Sequence, residues 1–193
     1  MSTAQPRPIE IRLRKSVSVL TAAVLLSACA SIPFSTMWKL RSFNGEDLKT
    51  LNPVDIRVVV KLPEKLQFEP DKTTLDVALT PKDVRQTVLE EHASLILLNQ
   101  GRSVPADVQM AKQGEIWYLM KLNPDGVKSF LDFQQQLAPD IKQHYKSFTI
   151  STHLNFGNTN KNELKNLKLT VWLRMKKDED YFPLLENAAL PFK

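Results

Sequence analysis

The sequence predicts an α+β fold, with a mainly antiparallel sheet and one main helix packed on a face of it. Several segments alternate apolar and polar residues with a period of two, as half-buried strands do. One segment has apolar residues at helical spacing, and it falls between predicted strands instead of alternating with them, which favours α+β over βαβ units. The alternative is a β-sandwich with an inserted helix.

Two strands are predicted in the first half of the chain. The segments from Val54 to Leu62 and from Leu75 to Leu79 place an apolar residue at every second position, and a proline closes each of them. We expect these two strands to be neighbours in the sheet. The segment from Val84 to Leu98 fits both a helix and a strand, and its β-branched residues favour a strand.

A central strand and a helix are predicted next. Ile116 to Leu122 (IWYLMKL) is apolar on both sides, which is typical of a strand inside a sheet. Asn123 and Pro124 then form the pair expected at a helix N-cap and first helical position. Apolar residues recur at near-helical spacing from Val127 to Ile141, and Pro139 is expected to end or kink the helix.

The last third of the chain predicts a long antiparallel hairpin. Both Phe148 to Phe156 and Leu167 to Met175 alternate apolar and polar residues, and a loop rich in glycine and asparagine follows the first of them. This pattern indicates one face on the core and one face on solvent.

The N-terminus has the pattern of a targeting segment. Residues 1–15 carry four basic residues against one acid, and residues 16–26 (SVSVLTAAVLL) form an apolar core too short to span a bilayer. Leu26, Ser27 and Ala28 then precede Cys29, which is the only cysteine. This arrangement resembles the lipobox signal peptide of bacterial lipoproteins.

The resemblance implies a lipid anchor at Cys29. In that family a signal peptidase recognises the three residues before the cysteine, the thiol is acylated, and the cysteine becomes the first residue of the mature protein. Neither Ala30 nor Ser31 is the aspartate that retains many lipoproteins in the inner membrane. We therefore expect the protein on the periplasmic face of the bacterial outer membrane.

Three parts of the chain follow from this prediction: a signal peptide (1–28), a lipidated N-terminus and tether (29–40), and a single globular periplasmic domain (41–193). Cleavage removes four of the 26 basic residues and one of the 21 acids, which leaves 165 residues with a net charge of +2. So small a charge gives little attraction for nucleic acid. The expected partners are the membrane, through the anchor, and other envelope proteins.

No motif in the sequence indicates catalysis, a cofactor or a metal site. G-x-S-x-G and phosphate-binding glycine loops are absent, and the three histidines lack metal-ligand spacing. In a strand, Glu90 and His92 could share a face for acid–base chemistry, while Glu91 could not. We favour a solvated strand edge as the explanation for these residues, and the same explanation for His153. The segment 178–180 (DED) is typical of an acidic turn. We expect no enzyme, no cofactor and no metal.

One surface feature falls in the last predicted strand. Trp172 shares the polar face with Lys168 and Arg174, and Lys176 follows on the same side. An aromatic residue within a basic stripe is typical of a contact with a partner or an anionic headgroup. We favour the simpler interpretation, in which the predicted helix covers Trp172.

The leading functional prediction is an outer-membrane-anchored periplasmic lipoprotein that acts as a non-enzymatic accessory or scaffold. It would bind other cell-envelope components through a sheet edge or an exposed face. The alternative is a lipid- or amphiphile-binding lipoprotein with a pocket between helix and sheet. An enzyme would require His92 or His153 in a cleft beside a carboxylate and a hydroxyl.

Overall fold

The computed structural model describes residues 45–103, 108, 110–165 and 167–189. This part of the chain contains seven strands and four α-helices. These residues belong to one compact unit. The strands are β1 (Arg57–Pro63), β2 (Thr74–Pro81), β3 (Leu89–Gly101), β4 (Glu115–Leu122), β5 (Tyr145–His153), β6 (Lys168–Arg174) and β7 (Phe182–Ala189), and the helices are α1 (Gly45–Thr50), α2 (Pro124–Gln135), α3 (Ile141–His144) and α4 (Lys161–Lys165).

The seven strands form one sheet in the order β5-β2-β3-β4-β1-β6-β7. Every neighbouring pair is antiparallel, which confirms the prediction of a mainly antiparallel sheet. β4 occupies the middle of this order, as its apolar sequence on both sides predicts. The strands pair in one continuous order, whereas the β-sandwich alternative would need two sheets.

β3 is the strand that joins the two halves of the sheet. Its residues from Leu89 to Ser94 pair with β2, and its residues from Leu95 onward pair with β4. The strand predicted within Val84 to Leu98 is therefore confirmed from Leu89, while the residues before it form bends and turns. The long strand places two otherwise separate groups of strands in one sheet.

Two predicted pairings are wrong. β1 and β2 are not neighbours, because β1 lies between β4 and β6 while β2 lies between β3 and β5. The late hairpin does not form either, because β5 pairs with β2 and β6 pairs with β1 and β7. Alternation in sequence determines which face a residue occupies but not which strand lies beside it. The connection from residue 154 to 167, which contains α4, is also too long to impose a hairpin.

The start of α2 agrees with its predicted cap. The side-chain oxygen of Asn123 accepts a hydrogen bond from the backbone N–H of Gly126 at 2.6 Å, and Pro124 is the first helical residue. The helix ends at Gln135, before Pro139. Leu137 is nevertheless buried beyond the helix end.

The sheet buries residues on both of its faces. On the inner face, Val58 and Val60 belong to the same buried cluster as Phe130 and Phe133 of α2. Val59, which points the other way, belongs to a second cluster on the opposite, outer face. We name this second group the outer-face cluster; it comprises Val59, Val108, Ala111, Trp117, Leu119, Trp172 and Tyr181.

Candidate functional site on the outer face of the sheet

Three cationic side chains stand side by side on the outer face, one from each of three adjacent strands. Arg57 of β1 lies directly opposite Lys121 of β4 on one side and Arg174 of β6 on the other. Directly opposite residues of an antiparallel pair share a face, with Cβ atoms about 4.5–5.5 Å apart. We name Lys121, Arg57 and Arg174 the cationic row. It crosses the sheet where β1 begins and where β4 and β6 end.

The cationic row is not neutralised by the described part of the chain. None of its three members forms an ion pair there. Lys61, on the same face of β1, differs because its ammonium lies 3.5 Å from the carboxylate of Glu115. Like charges placed directly opposite each other destabilise a sheet, so the row concentrates positive charge at a cost in stability.

The two arginines of the row are held in place by contacts that leave their charge uncompensated. Nη1 of Arg57 donates hydrogen bonds to the backbone oxygens of Val54 at 2.6 Å and Ile56 at 2.8 Å. The guanidinium of Arg174 lies 5.0 Å from the ring centroid of Tyr181, within the range of a cation–π contact. Both guanidinium groups are therefore oriented before any ligand binds.

Two N–H donors beside the row lack an acceptor. Nε1 of Trp172 and Nε of Arg174 are buried and have no hydrogen-bond partner among the residues that the structure describes. The two residues are two positions apart on β6 and share the outer face. Buried donors are nearly always satisfied in folded proteins, so these two are exceptions on the outer face.

The four residues of the predicted basic stripe do not form one continuous exposed surface. Trp172 is partly buried in the outer-face cluster, on the face opposite the one that holds the buried phenylalanines of α2. Arg174 joins the cationic row. Lys168 is exposed at the start of β6, whereas Lys176 lies beyond its end with its ammonium 3.6 Å from a carboxylate oxygen of Glu179.

Sequence reasoning missed Arg57 and Lys121, although a signal for them exists. Each is a cation within a mostly apolar run, VDIRVVV for Arg57 and IWYLMKL for Lys121. A charged residue at a half-buried strand position is costly unless it has a purpose or a partner. What the sequence could not show is the register that aligns both residues with Arg174.

A second polar group lies on the sheet around His92. Its Nδ1 is 2.9 Å from Oδ1 of Asp76, and its Nε2 is 3.8 Å from Oε2 of Glu90. The hydrogen bond to Asp76 and the nearby carboxylate charges raise the pKa of His92. Glu91 points to the other face and accepts a hydrogen bond from Ser129 of α2 at 2.6 Å, so the predicted separation of Glu90 and Glu91 is confirmed.

The arrangement around His92 gives an imidazole with raised basicity on an open surface. The side chain is 63% exposed. The hydroxyl of Thr74 donates a hydrogen bond to the same Oδ1 of Asp76 at 2.6 Å, and within the described residues no hydroxyl is hydrogen-bonded to the imidazole itself. His153 lies on β5, directly opposite Thr74 of β2, and is also exposed. General acid–base catalysis would need a substrate held within hydrogen-bond reach of one of these imidazoles.

The space between α2 and the sheet is small. An apolar cavity there has a volume of about 10 Å³. The side chains that line it include those of Leu48, Ile56, Leu75, Phe130, Ile150 and Leu173. That volume holds about one water-sized sphere and no acyl chain. At this cavity, an acyl chain would fit only if α2 moved away from the sheet.

The other predicted residues are those of the predicted lipobox and of the acidic segment 178–180. Leu26, Ser27, Ala28 and Cys29 lie outside the described residues. The acidic segment 178–180 lies in the connection between β6 and β7. Within the described ranges, no group of histidine, cysteine or acidic side chains is arranged to hold a metal ion, and no helix is long and apolar enough to cross a membrane.

Comparison with protein-family models, with curated proteins and with solved structures finds no match to this chain.

Proposed function

We propose that the protein is a lipoprotein, anchored to the periplasmic face of the bacterial outer membrane, that serves as a non-enzymatic accessory or scaffold for other envelope components. The observation that carries the anchor is the sequence Leu26-Ser27-Ala28-Cys29 behind a basic segment and an apolar core. Several acyl chains on one residue would give a membrane anchor that a single chain does not provide.

The outer face of the sheet is the surface through which this protein is proposed to bind. It carries the cationic row together with the partly buried side chain of Trp172. Aromatic residues and arginine are enriched where proteins bind partners, and surfaces of this kind need no catalytic group. The open surroundings of His92 favour a binding role over an enzymatic one.

We propose that α2 is the one principal helix and that it covers the inner face. The burial of Phe130 and Phe133 in the same cluster as the inner residues of β1 supports this arrangement. The other helices are short, with α1 at 6 residues the longest of them within the described ranges.

The anchor is tested by replacing Cys29 with serine. Cells that express the full chain are labelled with palmitate, and the wild-type protein is expected to incorporate label and to lose residues 1–28. The Cys29→Ser variant should incorporate none and remain as the uncleaved precursor, because serine offers no thiol. Ser31→Ala, two residues away, is the matched control and should be labelled and cut normally. A Cys29→Ser variant that is still labelled and cleaved would show that the anchor is assigned wrongly.

The binding role is tested by crosslinking in cells. A photoreactive amino acid at Ile96, which is 37% exposed and lies opposite Lys121, should capture an envelope component. The same amino acid at Leu131, which is 44% exposed on α2, is the control for a surface remote from the row. Equal products from both positions, or none from Ile96, would count against the outer face as the binding surface.

A further inference from the structure

Building on the proposed lipoprotein anchor, we propose that the cationic row binds the phosphate groups of anionic phospholipids and thereby holds the outer face of the sheet against the membrane. The ligand class follows from the chemistry of the row. Two guanidinium groups and one ammonium present only donors, and phosphate oxygens are the acceptors that arginine recognises best. Of the Arg174 guanidinium, the buried Nε takes no part in this contact, so its terminal nitrogens are the donors that a phosphate can reach.

The size of the row fits headgroups. Three adjacent strands at about 4.8 Å spacing place its outer members about 10 Å apart, which suits one or two phosphate groups. Nucleic acid would require a more extended basic surface, and Lys61, the next cation along β1 on this face, is already paired with Glu115. The mature chain carries a net charge of only +2, so the attraction is local to the row.

The flanking side chains suit a membrane surface as well. Trp172, which is partly buried, lies two positions before Arg174 on the same face, and amphipathic rings of this kind prefer the headgroup level of a bilayer. Tyr181 is buried at 6% exposure and supports Arg174 from inside the protein. Ile96 continues the row on β3, directly opposite Lys121, and is 37% exposed. An apolar side chain beside the cations can enter the interface while the phosphates are bound.

The proposed anchor makes this contact reachable. Gly45, the first described residue, follows Cys29 by 16 residues, which span up to about 55 Å when fully extended. Arg57 lies only a short helix and turn further along the chain, at the start of β1. A domain tethered to the bilayer by that chain samples the membrane surface at high local concentration, so modest affinity suffices to hold the face down.

The test uses the full-length lipidated protein, purified in detergent and reconstituted into vesicles. One set of vesicles contains only phosphatidylcholine, and the other contains phosphatidylcholine with phosphatidylglycerol. Ile96→Cys, labelled with an environment-sensitive fluorophore, reports contact of the outer face with the bilayer. Asp132→Cys, exposed on α2, is the matched control position. We expect the Ile96 label to report bilayer contact in the anionic vesicles only, and the Asp132 label to be the same in both.

Charge variants then assign the contact to the row. Lys121→Gln with Arg174→Gln should lower the ratio of docked to free protein about fivefold for each cation removed. Lys128→Gln with Lys146→Gln removes the same charge from exposed positions on α2 and β5 and should leave that ratio unchanged. Lys121→Arg, which keeps the charge, should dock as the wild type does. Circular dichroism of each variant establishes that it is folded.

The outcomes separate this proposal from the anchor on which it rests. Flotation with both kinds of vesicle reports the anchor, whereas the Ile96 label reports the face. If the protein floats with both vesicles and gives equal Ile96 signals, the phospholipid proposal is wrong. The ligand of the row would then be an acidic segment of a protein. An equal loss of docking in the control pair would overturn the assignment to the row. Failure to float with either vesicle would refute the anchor alone.

Discussion

Gly126 and Ser94 approach each other so closely that only glycine fits. A β-carbon on Gly126 would lie 2.4 Å from the backbone oxygen of Ser94 and 2.9 Å from its nitrogen. Ser94 is the last residue of β3 that pairs with β2, and its oxygen also accepts a hydrogen bond from the N–H of Asn123 at 3.0 Å. The first turn of α2 therefore packs against β3 at Ser94, where the pairing of β3 changes from β2 to β4.

Replacing Gly126 with alanine is expected to lower the free energy of unfolding by about 1–3 kcal/mol. The added methyl group meets backbone, which cannot rotate away, and this overpacking outweighs the gain in helix propensity of about 1 kcal/mol. Urea denaturation measures the change. Gly101→Ala is the control, because the nearest atom to its β-carbon would be 3.9 Å away. A Gly126→Ala protein as stable as the wild type would show that α2 can shift from Ser94 at little cost.

Two adjacent residues of α2 should differ sharply when each is replaced by alanine. Phe130 is 1% exposed and belongs to the buried cluster on the inner face of the sheet, whereas Leu131 is 44% exposed. We expect Phe130→Ala to cost about 3–5 kcal/mol, since it removes buried apolar surface and leaves a cavity. Leu131→Ala should change stability by less than about 0.5 kcal/mol. Similar losses for both variants, measured by thermal or urea unfolding, would mean that α2 does not present this face to the sheet.

The pKa of His92 should fall when Asp76 is replaced by asparagine. The hydrogen bond from Nδ1 to Asp76 is the largest cause of the raised pKa, and the charges of Asp76 and Glu90 add to it. Titration of the imidazole by NMR should therefore show a lower pKa in Asp76→Asn. An unchanged pKa would assign the shift to other groups.

The same pair gives a small pH dependence of stability. Because the pKa of His92 is raised in the folded state, the contribution is fully present below the unfolded-state pKa of about 6.5 and is lost as the pH rises through the folded-state pKa. The stability difference between the wild type and Asp76→Asn should thus be larger at low pH than at high pH. The exposure of His92, at 63% of its side chain, keeps this contribution small.

Neutralising Lys121 should stabilise the fold. Its charge lies directly opposite that of Arg57, and no ion pair in the described chain offsets it. We expect Lys121→Gln to raise the free energy of unfolding by about 0.2–1 kcal/mol at low ionic strength, with a smaller gain in high salt. Lys61→Gln, on the same face, should not stabilise, because it breaks the pair with Glu115. If both variants change the free energy of unfolding alike, Lys121 and Arg57 do not repel each other measurably.

The local elements could be predicted from the sequence because local forces determine them. The cap of Asn123 on α2 depends on residues within one turn, and the alternation in β2 depends on which side of the strand is buried. Pairing partners could not be predicted in this way. β5 and β6 have similar alternating sequences, yet they occupy distant places in the sheet.

The residues of the candidate site also differ in whether the sequence alone could reveal them. Trp172 and Arg174 could be recognised as surface candidates because both fall on the polar side of one strand. Arg57 and Lys121 could not be joined to them, since the three cations come from segments far apart in sequence. Their alignment depends on the register of β1 against β4 and β6.

The sequence by itself determined the strand periodicity, the position and cap of α2, and the lipobox pattern around Cys29, because each depends on neighbours along the chain. Only the tertiary structure decided the order of the strands, the docking of Gly126 on Ser94 and the assembly of the cationic row. These features depend on long-range backbone pairing, in which many strands of similar pattern compete and the packing of the whole sheet selects one arrangement.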